Sequence, residues 1–183
     1  MVARAASRSL LNLAVAGQSH LDQFTARTIR DLPATAISLN IVNADSMRER
    51  VFVSAFHGFL DMIRDSHPTT PIVIVTPIIC PVAEDHPGPT PVGRDHRIHV
   101  VERPAALASE ALSLNQIREL LHQQVVAREK EGDANLDIID GLTLFGADDV
   151  ADLTDGLHPN AVGYRRMAER FPPLAFGDEG PLQ

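Results

Sequence analysis

Short apolar runs alternate with longer amphipathic stretches along this chain, a pattern that predicts repeated strand–helix units. Leu10–Ala16 (LLNLAVA) reads as a first buried strand stopped by Gly17. Leu21, Phe24, Ile29 and Leu32 lie among charges and predict a modest helix over 20–32. Ala36–Val42 (AISLNIV) is the second predicted strand. From Ser46 to His67, residues Phe52, Phe56, Phe59 and Ile63 recur at helical spacing and predict one continuous apolar face. Pro68 and Pro71 end that helix, because proline lacks the N–H the ladder needs. Pro71–Thr76 (PIVIVT) is rich in β-branched residues and predicts a third strand. Leu114, Ile117, Leu121 and Val125 are in register for a helix over 113–131, with Ser113 as N-cap and Gly132 as stop. Asn135–Ile139 (NLDII) is a fourth strand, and a last helix is expected over about 160–171.

Between the third strand and the Ser113 helix the pattern breaks. Residues 77–112 hold six prolines and the histidines His86, His96 and His99. A connection this long is uncommon in a compact domain and is often functional, so it reads as a loop covering a substrate. Arg97–Glu102 (RIHVVE) fits a small hairpin strand within it. Taken together, the units predict an α/β domain over 1–171: a mostly parallel sheet with helices on both faces, followed by a flexible tail over 172–183. In such sheets ligands bind at the carboxyl ends of the strands. That rule points to Gly17, to Asn40–Asn43, to Thr76–Pro81 and to the loop before Asp155.

Composition narrows the function classes. The chain has 183 residues, 44% of them hydrophobic and 22% charged, enough apolar surface for a core. No uncharged apolar run reaches the length of a membrane span. The net charge of −8 argues against a nucleic-acid partner, which would call for clustered Lys and Arg. Arg4 and Arg8 precede a short apolar stretch and Ala14-Val15-Ala16 imitates a signal-peptidase site, but Asn12 interrupts the stretch and a strand is the better reading. The single cysteine, Cys80, excludes an internal disulfide and a cysteine-rich metal site, and fits a reducing cytoplasm. It reads as an inert buried thiol. His86, Asp95, His96 and His99 have metal-ligand chemistry but match no compact ligand spacing, so no metal is assigned.

The segment with the clearest chemistry is Asp155-Gly156-Leu157-His158-Pro159-Asn160, just before the last predicted helix. An aspartate three residues ahead of a histidine can fold back and hold one ring nitrogen, leaving the other free as a general base. Asn160 suits the N-cap that follows. Gly17, directly after a predicted strand, can turn a backbone N–H toward an oxyanion. Asn40 and Asn43, near the end of the second strand, each carry an amide that can do the same.

In this order the segments resemble the SGNH (GDSL-type) hydrolase superfamily. That family places a serine after its first strand, a glycine after its second, an asparagine after its third, and an Asp-x-x-His pair near its C-terminus. DGLHPN followed by Ala161-Val162-Gly163-Tyr164 matches the last block, and Gly17 matches the glycine block. The resemblance covers roughly Leu10–Phe171. GQSHLDQ, PIICP and EDHPGPT look like bacterial members that carry an extra N-terminal β-sandwich domain. It implies a flavodoxin-like three-layer fold and cleavage of a small-molecule acyl ester without a cofactor. His158 would be the base, Asp155 its orienter, and Gly17 with Asn43 or Asn40 the oxyanion donors.

Two departures shape the expectation. No Gly-Asp-Ser turn with a strand before it precedes Gly17, so no nucleophile is assigned. Ser7 and Ser9 sit in a helix-like stretch, Ser19 follows the glycine, and Ala44-Asp45-Ser46 falls in the asparagine block and caps a helix. No glycine precedes either asparagine; counting from Pro33 favours Asn43, and counting back from Asp45 favours Asn40. The missing block also removes the family's central strand. The strands around it are then expected to pair directly or to expose an edge open to a partner or a second copy. The chain is accordingly expected to be inactive alone, with a non-catalytic binding module on the same scaffold as the alternative.

Overall fold

A computed structural model describes residues 2–183 except 16, 18, 42–47, 103 and 105–109. Three strands, β1 (Ile37–Asn40), β2 (Ile72–Val75) and β3 (Leu136–Ile139), form a parallel sheet in that order. Ile37 lies opposite Ile72, and Ile72 opposite Leu136, so the three strands start level. Helix α2 (Gln23–Asp31) precedes β1, α3 (Glu49–Arg64) joins β1 to β2, and α4 (Leu114–Lys130) lies between β2 and β3. A four-residue helix α1 (Val2–Ala5) precedes them. After β3 come a short α5 (Gly141–Leu144), a 3-10 turn at Ala147–Asp152 and α6 (Ala161–Phe176).

Side chains of β2 alternate between two cores. Ile72 and Ile74 join Phe52, Phe56 and Ile63 of α3 and Ile117 and Leu121 of α4 on one face. Val73 and Val75 join Leu144, Ala175 and Leu182 on the other, with Met167, Phe171 and Phe176 of α6 packed around them. Helices therefore cover both faces, which is why IVIV is buried at every position. The architecture is the expected α/β sandwich. Ser113 caps α4 as predicted and closes a capping box with Gln116. Gly132 follows at φ +104, a conformation open to glycine without strain. No helix among the described residues is long and apolar enough to cross a membrane.

The N-terminal part departs from expectation. Leu10–Ala16 was predicted as a buried strand, but residues 10–15 form none, and Leu10, Leu11 and Val15 are 73%, 62% and 68% exposed. Among the described residues the hydrogen bond made by that stretch is local, from Ala14 N–H to Asn12 Oδ1. Nor does it pair with β1: Ile37 N–H donates to Pro71 O at 2.9 Å and Ile41 N–H to Val75 O at 3.3 Å, so the odd positions serve β2. Ser38 and Asn40 point the other way, and both are exposed. β1 is thus the edge of the sheet among the described residues. Phe24, expected on an apolar face, is 74% exposed, with the Arg27 guanidinium 5.7 Å from its ring centroid. At the other end, α6 continues through Pro172 and Pro173 to Phe176. Leu182, in the expected flexible tail, is buried and donates its N–H to Ala175 O.

Candidate active site

The Asp155–His158 turn is built by its own backbone. Asp155 Oδ1 accepts the N–H groups of Leu157 (2.9 Å) and His158 (2.7 Å), closing a tight Asx-type turn. Gly156 takes φ +86 within it. The other carboxylate oxygen, Oδ2, lies 2.6 Å from His158 Nδ1. An ionised carboxylate only accepts, so in the neutral ring Nδ1 carries the proton and Nε2 keeps its lone pair. Partial burial pushes the Asp155 carboxyl up; the His158 ring and the two backbone donors outweigh it and hold the group well below the usual carboxylate range. The imidazole is 66% exposed, so Nε2 is accessible to a reacting partner.

Neighbouring segments fix this turn in place. Leu153 and Pro159 form an isolated antiparallel bridge across its base. Asn160 N–H donates to Asp152 O, while the Asn160 side chain accepts from Val162 N–H and Gly163 N–H as the predicted N-cap of α6. Ile98 N–H donates to Asp155 O at 2.9 Å. Cys80 Sγ lies 3.6 Å from Gly156 O, and burial pushes its thiol pKa up, as expected of an unreactive cysteine. Cys80 belongs to the segment that continues β2, so the dyad sits at the carboxyl end of the sheet.

That segment is held from below by Arg118 of α4. Its guanidinium donates to Pro77 O (2.9 Å) and Ile78 O (3.0 Å), and to both oxygens of Glu84 at 3.0 and 2.7 Å. Glu84 in turn accepts Cys80 N–H at 2.9 Å. Sequence reasoning missed Arg118, because one arginine in an amphipathic helix reads as solvated. Ile98 was missed for a related reason: its contribution is a backbone N–H, which no side-chain pattern reports.

Asn40 is the last residue of β1, also at the carboxyl end. Ser19 Oγ donates to its carbonyl at 3.1 Å, which brings the Gly17 turn (φ +69) to the same end of the strand. Asn43 lies outside the described residues, as do Ala44, Asp45 and Ser46. Among the described residues no serine hydroxyl hydrogen-bonds His158. His86, Asp95, His96 and His99 do not assemble: among the described residues no three potential ligands come together, and His99 pairs with Asp95 alone. The best-formed surface depressions, lined by Glu49, Arg50 and Val53 or by Leu112, Asn115 and Glu119, lie away from the dyad.

No protein-family model matches the chain, and no curated protein matches it. Solved structures do. A salicylyl-acyltransferase, SsfX3, from a tetracycline biosynthetic pathway superposes with a TM-score of 0.73 at 29% identity, over 92% of this chain and 45% of that protein. A protein from Bacteroides ovatus described as a GDSL-like lipase superposes with a TM-score of 0.68 at 20% identity, over 94% of this chain and 44% of that one. This chain therefore spans less than half the length of either neighbour. With the parallel sheet, its helices and the strand order already described, the chain has an SGNH/GDSL-like fold.

Proposed function

We propose that this chain is an ester-hydrolase scaffold in which Asp155 orients His158 as the general base for cleavage of a small-molecule acyl ester. The observation that carries the reading is the 2.6 Å contact from Asp155 Oδ2 to His158 Nδ1 on an exposed turn. Given a serine hydroxyl at Nε2, His158 would take its proton as the oxygen attacks the ester carbonyl. It would then return the proton to the departing alcohol, and water would release the acyl group by the same exchange. Gly17 N–H and the amide of Asn40 or Asn43 would receive the oxyanion. No cofactor enters this chemistry. The acyltransferase name of one structural neighbour supports acyl chemistry in general. On this reading the chain is inactive by itself, because its sequence offers no Gly-Asp-Ser turn ahead of Gly17. The single buried cysteine is in keeping with work in the cytoplasm.

Nitrogen-15 NMR of the His158 ring tests the dyad. In the neutral state the parent should hold the proton on Nδ1, and Asp155→Asn should release the ring to the Nε2-protonated form that free histidine prefers. The same tautomer mixture in both proteins would remove Asp155 as the orienter.

A second reading has its own support. β1 presents an open edge, and Leu10, Leu11 and Val15 are apolar and exposed. A binding module would use that edge to pair with a second copy or another protein and would need no nucleophile.

A further inference from the structure

We propose that Arg97 binds a carboxylate carried by the ester, making the site selective for anionic esters; this rests on the reading of Asp155–His158 as the reacting dyad. Arg97 sits at the tip of a hairpin spanning 91–99. Gly93 N–H donates to Arg97 O at 2.7 Å, Asp95 Oδ1 accepts Arg97 N–H at 3.2 Å, and His99 Nε2 lies 2.9 Å from the same carboxylate oxygen. The next residue, Ile98, donates to Asp155 O. The backbone that carries Arg97 is therefore tied to the dyad's own turn.

The guanidinium leans over that turn. Its Nη2 lies 3.9 Å from the point a Cβ would occupy on Gly156, between the aspartate and the histidine. Among the described residues no carboxylate or carbonyl pairs with it. Asp155 is already engaged by two backbone N–H groups and the His158 ring, and no hydrogen bond joins it to the Arg97 guanidinium. By contrast Arg118, Arg128, Arg166 and Arg170 each hold an aspartate or glutamate. In a chain of net charge −8, an exposed planar cation beside Gly156 of the dyad's turn and left without a counter-charge is suited to an incoming carboxylate. A guanidinium can receive both oxygens at once, which fixes the ester's orientation as well as its charge.

The test is a pair of esters that differ in one charge, monomethyl succinate and dimethyl succinate, titrated while the His158 ring resonances are followed. The monoanion should bind the parent about tenfold more tightly than the neutral diester, as expected for a hydrogen bond to a charged group. Arg97→Gln should bring the monoanion down to the diester and leave the diester unchanged. Arg94→Gln, on the same hairpin, should keep the tenfold preference. Equal affinity of the two esters in the parent, or a preference surviving in Arg97→Gln, would overturn the role of Arg97 while leaving the dyad intact. If neither ester moves the His158 resonances, this proposal fails, while the tautomer comparison with Asp155→Asn still decides the dyad.

Discussion

At Asp155 one side chain performs two tasks, and the second is structural. Its Oδ1 closes the turn while its Oδ2 holds the imidazole. The folded carboxyl titrates below the unfolded value of about 3.9. The stability it contributes is therefore complete above that value and is lost as the pH falls through the folded one. Chemical denaturation from about pH 5 down to about pH 2 should show the parent losing stability more steeply than Asp155→Asn, which carries no titrating group there. Parallel curves would mean that the carboxylate adds nothing to the fold. At this scale the local geometry was legible in the sequence. Asp155, His158 and the Asn160 cap fall where the six-residue motif put them. Ile98 and Arg118 escaped, because their contributions come from a backbone N–H or from a partner distant in the chain.

Among the elements, legibility followed burial. The α3 stripe of Phe52, Phe56, Phe59 and Ile63 is buried along its length, since a period of 3.6 on one side of a sheet has no rival reading. The β2 run is equally plain, being covered on both faces. Leu10–Ala16 has the same apolar signature, yet residues 10–15 form no strand. Periodicity reports what a segment can bury and is silent on whether a neighbouring strand is there to receive it. Among the described residues Ser38 and Asn40 lie on an open edge of the sheet. Proline at position 38 would remove an N–H that faces away from β2, and edge strands tolerate that. If the edge recruits a second copy, sedimentation of the parent should show a concentration-dependent dimer, and Ser38→Pro should sediment as a folded monomer. A parent that stays monomeric throughout would remove self-pairing through β1.

For the molecule as a whole, the fold and the dyad separate the scaffold from the reaction. Two packed faces, a parallel sheet and a loop segment braced by Arg118 deliver His158 to the carboxyl end with a free Nε2. Among the described residues no serine hydroxyl hydrogen-bonds that ring. Ser19 comes to the right end of β1, but its hydroxyl donates to Asn40 O and makes no bond to His158 among the described residues. Fluorophosphonate labelling of the folded chain, read by mass spectrometry beside His158→Ala, measures this directly. The account predicts that no serine is labelled in either protein. A single serine labelled in the parent and spared in His158→Ala would contradict it, showing that this chain carries a nucleophile which His158 activates.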